Sequence, residues 1–246
     1  MRRRAAGTTL ERVTPRVLVV QHEDDDPIHL MGEWMDADLD VRRPYLGDDL
    51  PPSLRGYAAL VVMGGAMGAN DDATSPWLPH ARELIREAAA DGVPTLGICL
   101  GHQLATVALG GEVLRNPAGR QFGLYDVNWE PTAHLDRLFS TVATPRRGAH
   151  WNDDIVTRLP EGAVLMARSS SGEVQAARHA PTVWGVQWHP EVDEALFRGW
   201  LEDGDADPAQ AEATLADLSR SAHELEQAWQ PLASRFVELA AARQPV

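Results

Sequence analysis

Three short apolar runs, Arg16–Gln21, Tyr57–Met63 and Val93–Ile98, constrain this chain more than any other feature. Their cores do not alternate with polar residues, so a strand built from any of them must be covered on both faces. That is the property of a parallel strand inside an α/β sheet. The stretches between them read as helices. Asp26-Pro27 has the form of an N-cap and first helical residue, predicting a helix through Met35. Ser75-Pro76 opens another that runs to about Ala90, with Trp77, Leu78, Leu84, Ile85 and Ala88 along its apolar side. From Gly111 to Trp129 and from Val164 to Trp188 the runs shorten and alternate, which predicts antiparallel strands at one edge. The expected fold is α/β: an open, mostly parallel sheet with flanking helices and antiparallel edge strands. Sites in such sheets lie beyond the carboxyl ends of the strands.

Two of these strand ends carry chemistry. Gly97-Ile98-Cys99-Leu100-Gly101-His102-Gln103 holds the single cysteine of the chain, at a strand-to-helix junction with a glycine two residues to either side. This is the layout of a nucleophile elbow: a sharp turn presents the sulfur, and the following helix N-terminus favours thiolate. A lone buried structural cysteine is the alternative. The second segment, Val183 to Val192, delivers His189 at the end of an alternating strand, with Glu191 two residues on across Pro190. In an extended stretch the two side chains share a face. A thiol nucleophile needs an imidazole to take its proton, and the imidazole needs a third group to orient it.

These motifs, in this order, resemble those of the class I, triad-type glutamine amidotransferases, in particular the glutaminase domain of GMP synthase and its free-standing relatives. The family's elbow, Gly-hydrophobic-Cys-x-Gly-x-Gln, is matched by Gly97, Ile98, Cys99, Gly101 and Gln103, and its His-Pro-Glu by His189, Pro190 and Glu191. Val61-Val62-Met63-Gly64-Gly65 resembles the strand and glycine turn that supply part of the family's oxyanion hole. The resemblance implies a flavodoxin-like sheet and a catalytic triad of Cys99, His189 and Glu191. It implies an oxyanion hole from the amides of Gly65 and Leu100, and substrate contacts from Gly64, Gln103, His150, Trp151 and Asp154. Within His150-Trp151-Asn152-Asp153-Asp154, free-standing relatives often read His-Trp-His-Gly-Asp, so Asn152 and Asp153 depart from the pattern, and Asp153 reads either as a specificity element or as a solvated acid. Ala66 departs as well, where the family usually has proline. His102, after the elbow cysteine, reads as a surface residue, with a second base as the alternative.

The implied reaction is hydrolysis of the γ-carboxamide of glutamine through a Cys99 thioester, with ammonia passed to an acceptor activated by a separate enzyme. A self-sufficient γ-glutamyl hydrolase acting on other γ-glutamyl amides would need the same residues, and an idle binding module is the third reading. The chain has no phosphate-cradling Gly-x-x-x-x-Gly-Lys loop, so a synthetase partner is expected to be a different protein.

Composition narrows the partners. With 22 basic and 36 acidic residues the formal charge is −14, which disfavours nucleic acid. No apolar stretch approaches the roughly 18 residues that span a bilayer. Met1 to Arg4 is basic but no apolar core follows, and one cysteine excludes an internal disulfide, so the cytoplasm is the expected compartment. No cofactor is expected. No metal is expected either, because the histidines are scattered and the acidic runs Glu23–Asp26 and Asp71-Asp72 read as solvated loops. The expected organisation is a flexible N-terminus (1–15), a catalytic domain (16–200) and a C-terminal helical extension (201–246). In that extension Asp207-Pro208 starts a helix whose stripe of Leu215, Leu218, Ala222, Leu225, Trp229, Leu232, Phe236 and Leu239 is broken or kinked at Pro231. The stripe either packs on its own domain or docks a second copy or a synthetase.

Overall fold

The computed structural model describes residues 14–144, 146–203 and 206–243; most of the expected N-terminal segment lies outside them. Eleven strands are present among these residues: β1 (Arg16–Val20), β2 (Asp38–Arg42), β3 (Ala59–Val62), β4 (Thr95–Ile98), β5 (Glu112–Arg115), β6 (Gln121–Trp129), β7 (Arg146–Asn152), β8 (Asp154–Arg158), β9 (Val164–Arg168), β10 (Val174–Ala180) and β11 (Val183–Val186). Nine form one sheet in the order β2-β1-β3-β4-β11-β10-β9-β6-β7, and β5 pairs with β8 apart from it. The first five in that order run parallel, and β10, β9, β6 and β7 extend the sheet antiparallel.

The uninterrupted apolar runs are explained by two helical layers. On β1, Val17 and Val19 enter one core and Leu18 and Val20 the other, and all four are inaccessible to solvent. Helices α2 (Leu78–Asp91) and α3 (Leu100–Ala108) pack on the Leu18 side; α1 (His29–Trp34), α4 (Glu194–Asp203) and α5 (Pro208–Ala242) pack on the Val17 side. Burial of this kind contributes about 25 cal/mol per Å² of apolar surface, which makes it the main force holding the layers.

Several sequence expectations are corrected. The helix opened by Asp26-Pro27 starts later, at His29 with Ile28 as N-cap, and Asp26 turns into the protein instead. Strand β2 was not anticipated because Asp38-Leu-Asp-Val-Arg is charged. It is an edge strand whose Asp40 is shared by Arg16 (2.7 Å), Arg42 (2.7 Å) and Tyr57 (2.6 Å). Strand β11, within the stretch expected to be antiparallel, lies parallel to β4 near the middle of the sheet. Pro231 does not break α5. The proline cannot donate to Gln227, four residues back, and that carbonyl accepts from Arg146 Nη1 at 3.2 Å. The buried stripe also passes through Ser221, leaving Ala222 exposed. It lies in the same core as the sheet, with Trp229 against Trp188 at 4.9 Å between ring centroids.

Candidate active site

The elbow is a backbone feature before it is a chemical one. Cys99 sits between β4 and α3 at φ 49° and ψ −104°, a conformation that costs a non-glycine residue of order 1–3 kcal/mol and persists only if its surroundings impose it. Its N–H donates to Val186 O at 2.8 Å, tying it to the end of β11. The flanking glycines allow close approach: a Cβ on Gly101 would lie 2.0 Å from Val62 O, and one on Gly97 would lie 2.4 Å from the Gly101 carbonyl. Strand β3, strand β4 and helix α3 therefore meet at backbone distance, with Cys99 held between them.

Because β4 and β11 pair in register, the residues after Val186 arrive beside those after Ile98. His189 donates its backbone N–H to Ala149 O at 2.8 Å, and its ring packs edge-on against Trp200 at 4.7 Å. Its Nδ1 lies 2.7 Å from Glu191 Oε1, and both residues are buried. Burial opposes a charge on the imidazole, but Glu191 and the adjacent Cys99 outweigh it, so the pKa stands well above the usual histidine value. With Nδ1 donating to Glu191, Nε2 is left to exchange a proton with Cys99. Trp188, directly before His189, is backed by Trp229 of α5.

The turn after β3 supplies the third wall. A Cβ on Gly65 would meet Leu100 Cδ2 at 3.1 Å, which puts the Gly65 backbone beside the start of α3, where N–H groups have no helical partner. Gly64 is wedged behind it: a Cβ there would stand 2.8 Å from Asp26 Oδ2 and 2.9 Å from His189 Cε1. Ala66 donates its N–H to Glu23 Oε1 at 2.6 Å, a bond that a proline at this position could not make.

These elements line a cleft of about 600 Å³ that contains Cys99, Gln103, Gly65, Trp151, Asp154 and His189. Four residues implied by the resemblance do not form its walls: Gly64 and Glu191 lie behind Gly65 and His189, Leu100 lies under the elbow, and His150 is buried. His150 is pushed down to about 4 by burial, and its Nδ1 lies 3.2 Å from Asn152 Oδ1. Gln103 donates to Asp154 O (3.1 Å) and to Gln187 Oε1 (3.3 Å), and Gln187 Nε2 contacts Cys99 Sγ at 3.5 Å. Gln187 was not singled out from the sequence, although its place just after the strand and two residues before His189 was a usable signal. Asp153 is no solvated acid: Arg120 grips both of its oxygens at 3.0 Å, Arg115 adds a contact at 3.3 Å, and Arg120 holds its carboxyl below the ordinary range.

The acidic loop is the largest departure from expectation. Glu23, Asp25 and Asp26 line the cleft, and Asp26 is 6% exposed. Trp200, also on the wall, comes from a helix that carried no motif. His102 is corrected too: it is inaccessible, pairs with His179 at 3.0 Å, and belongs to the packing under the elbow. Among the described residues, one grouping of potential metal ligands lies within 4.8 Å: Asp26, His189 and Glu191. Its shortest contact is the 2.7 Å bond of the His189–Glu191 dyad, which occupies the nitrogen a cation would need.

A family model, glutamine amidotransferase class-I, matches residues 35–202, a span that includes the elbow, the glycine turn and the His-Pro-Glu segment. The chain belongs to this family. The class-I amidotransferase fold is also seen in the glutamine amido transferase of Methylobacillus flagellatus. That structure is 29% identical, has a TM-score of 0.81, and is matched over 92% of this chain and 95% of the other. One subunit of the glutamine-hydrolyzing GMP synthase of Archaeoglobus fulgidus is 40% identical over 71% of this chain and 91% of its own length. Against the glutamine-hydrolyzing GMP synthase of Clostridium novyi the identity is 33% over 56% of this chain, but the match spans 25% of that larger protein. Among the described residues no helix of this amidotransferase is long and apolar enough to cross a membrane.

Proposed function

We propose that this chain hydrolyses the γ-carboxamide of glutamine and releases ammonia for an acceptor activated by a separate enzyme. The observation that carries the reading is the strained Cys99 at the β4–α3 junction, beside a His189–Glu191 dyad closed at 2.7 Å. Cys99 Sγ attacks the amide carbon, and the oxyanion forms against the amides of Gly65 and Leu100. His189, which carries the thiol proton as an imidazolium, gives it to the leaving ammonia, while Glu191 orients the ring and stabilises its charge. Water then cleaves the thioester by the same route. Gln103, Trp151 and Asp154 are assigned to the amino-acid end of the donor, with Gln187 steadying both Gln103 and the sulfur. A synthetase partner is supported by the likeness to the GMP synthase subunit of Archaeoglobus fulgidus.

A second reading, cleavage of γ-glutamyl amides with larger leaving amines, is favoured by the size of the cleft and by Asp153, which is clamped by two arginines at the wall. Release of ammonia and glutamate from L-glutamine, with Cys99→Ala as blank, tests the first reading. Cys99-dependent turnover supports it. Silence with glutamine and cleavage of γ-glutamyl anilides would replace it with the second. Cys99→Ser is expected to keep the fold and lose turnover; retained activity would refute the thiol mechanism.

A further inference from the structure

Asp26 has no role in the mechanism above, yet it is built into the site. It lies on the loop after β1, 6% exposed, with Oδ1 3.7 Å from His189 Nδ1. That Oδ1 has no hydrogen-bond partner in the protein. Glu23 lines the same cleft; burial and then Asp25 push its carboxyl up, and Asp26 acts against that rise as a hydrogen-bond partner, a role two carboxyl groups can share only if one holds a proton. Glu23 Oε1 in turn accepts the Ala66 N–H of the glycine turn. The loop is fixed from outside by Trp200 Nε1, which donates to Asp25 O at 2.7 Å, and by Leu30 N–H, which donates to Glu191 O at 3.4 Å. His189, Asp26, Glu23 and the backbone of the glycine turn therefore lie in series, the first link a 3.7 Å charge contact and the last a hydrogen bond.

We propose that Glu23 and Asp26 act as a proton-sharing carboxyl pair that sets how far into alkaline pH His189 keeps its charge, and that couples this charge to the turn at Ala66. Asp26 is then a positioning residue alongside Glu191. The inference rests on Cys99, His189 and Glu191 being the working triad, and not on the identity of the donor.

The charged groups facing Asp26 are Glu23 and Asp25 from its own loop and His189 and Glu191 from the segment after β11; Cys99 faces His189 from the elbow. Burial is the largest influence on Asp26 and pushes it up to about 8. His189 opposes this rise, and Glu191, Glu23 and Asp25 add to it. Below that pH the pair holds its proton and Asp26 is neutral. Above it an anion appears 3.7 Å from His189 Nδ1 and favours the imidazolium. The wild-type ring therefore stays charged to higher pH than the ring of Asp26→Asn.

The test is the titration of His189 by NMR of histidine-labelled protein, with the signal assigned by its loss in His189→Gln. Alkylation of Cys99 by iodoacetamide is followed across the same pH range, with Cys99→Ala as blank. In Asp26→Asn the deprotonation of His189 should fall by at least about 0.5 pH unit, because a unit charge this close is worth that much even at the dielectric of water. Glu23→Gln keeps an acceptor for Ala66 but removes a like charge, so the Asp26-dependent step should move to lower pH. Superimposable His189 titrations in wild type and Asp26→Asn would overturn the proposal, as would an unmoved step in Glu23→Gln if Asp26→Asn does not fold. A Cys99 inert to iodoacetamide in every variant would count against the triad itself, whereas the His189 titration would still judge the carboxyl pair.

Discussion

Gly101→Ala sets two effects against each other with opposite signs. Gly101 lies inside α3, where alanine in place of glycine is favourable by about 1 kcal/mol on helix propensity alone. The added Cβ, however, would stand 2.0 Å from Val62 O, 2.7 Å from its carbonyl carbon and 3.1 Å from its Cβ. An ordinary contact needs about 3.4 Å or more, so helix and strand must separate by roughly 1.4 Å, against cores that pack at crystal density. Overpacking of side chains costs about 1–3 kcal/mol, and here the obstacle is backbone that cannot rotate away. The expected net effect is destabilisation of about 2 kcal/mol or more. The same displacement moves Cys99 away from the Gly65 turn, so turnover should fall even in the folded fraction. Urea denaturation of both proteins, paired with the Cys99 alkylation rate, measures both consequences. A variant as stable as wild type, or more stable, would mean that propensity wins and that the close approach of β3 and α3 is not what holds the elbow.

Other perturbations have equally definite outcomes. Trp229→Ala removes a ring that is 1% exposed, stacks on Trp188 and donates to Arg147 O at 3.2 Å. The expected cost is about 3–5 kcal/mol by urea denaturation, and a loss under about 1 kcal/mol would show that α5 is not part of the cooperative core. Glu191→Gln should lower kcat through mis-set His189 tautomers while leaving more activity than Cys99→Ala, and wild-type rates would mean that another group orients the ring. On acidification, His22 and His179, held near 3 by burial, and His150, held near 4, stay neutral in the fold but protonate from about 6.5 downward once unfolded. Their stability contribution is present above 6.5 and is lost as pH falls toward 4. Asp26, raised to about 8, works in the other direction, as do Glu23 and Asp154, both raised by burial, while the buried His102, held well below the ordinary value, adds to the three rings. The urea midpoint should therefore decline through this window, and a flat or rising midpoint would contradict the burial of these rings as neutral groups.

How much of this was legible before the structure follows from the range of the forces involved. Continuous apolar runs, a cysteine with glycines two residues to either side and a His-Pro-Glu segment are local patterns. Each encodes a local consequence: a strand buried on both faces, a turn that admits close backbone, two side chains on one face. Residues that earn their place through distant neighbours left no such trace. Strand β2 is charged because it is an edge, and Pro231 is tolerated because Arg146, far away in sequence, takes the carbonyl it frees. His102 reads as polar surface until His179 is brought to it.

The sequence by itself determined the α/β class, the strand ends that carry Cys99 and His189, and the amphipathic C-terminal stripe, since periodicity and turn chemistry act within a few residues. Only the tertiary structure decided that β11 enters beside β4, which sets His189 and Cys99 side by side. Only the tertiary structure decided, too, that the acidic loop folds inward, so that Glu23 meets Ala66 and Asp26 meets His189. The physical reason is that the cost of burying a carboxyl depends on which proton donors and charges surround it, and those come from strands separated by more than a hundred residues.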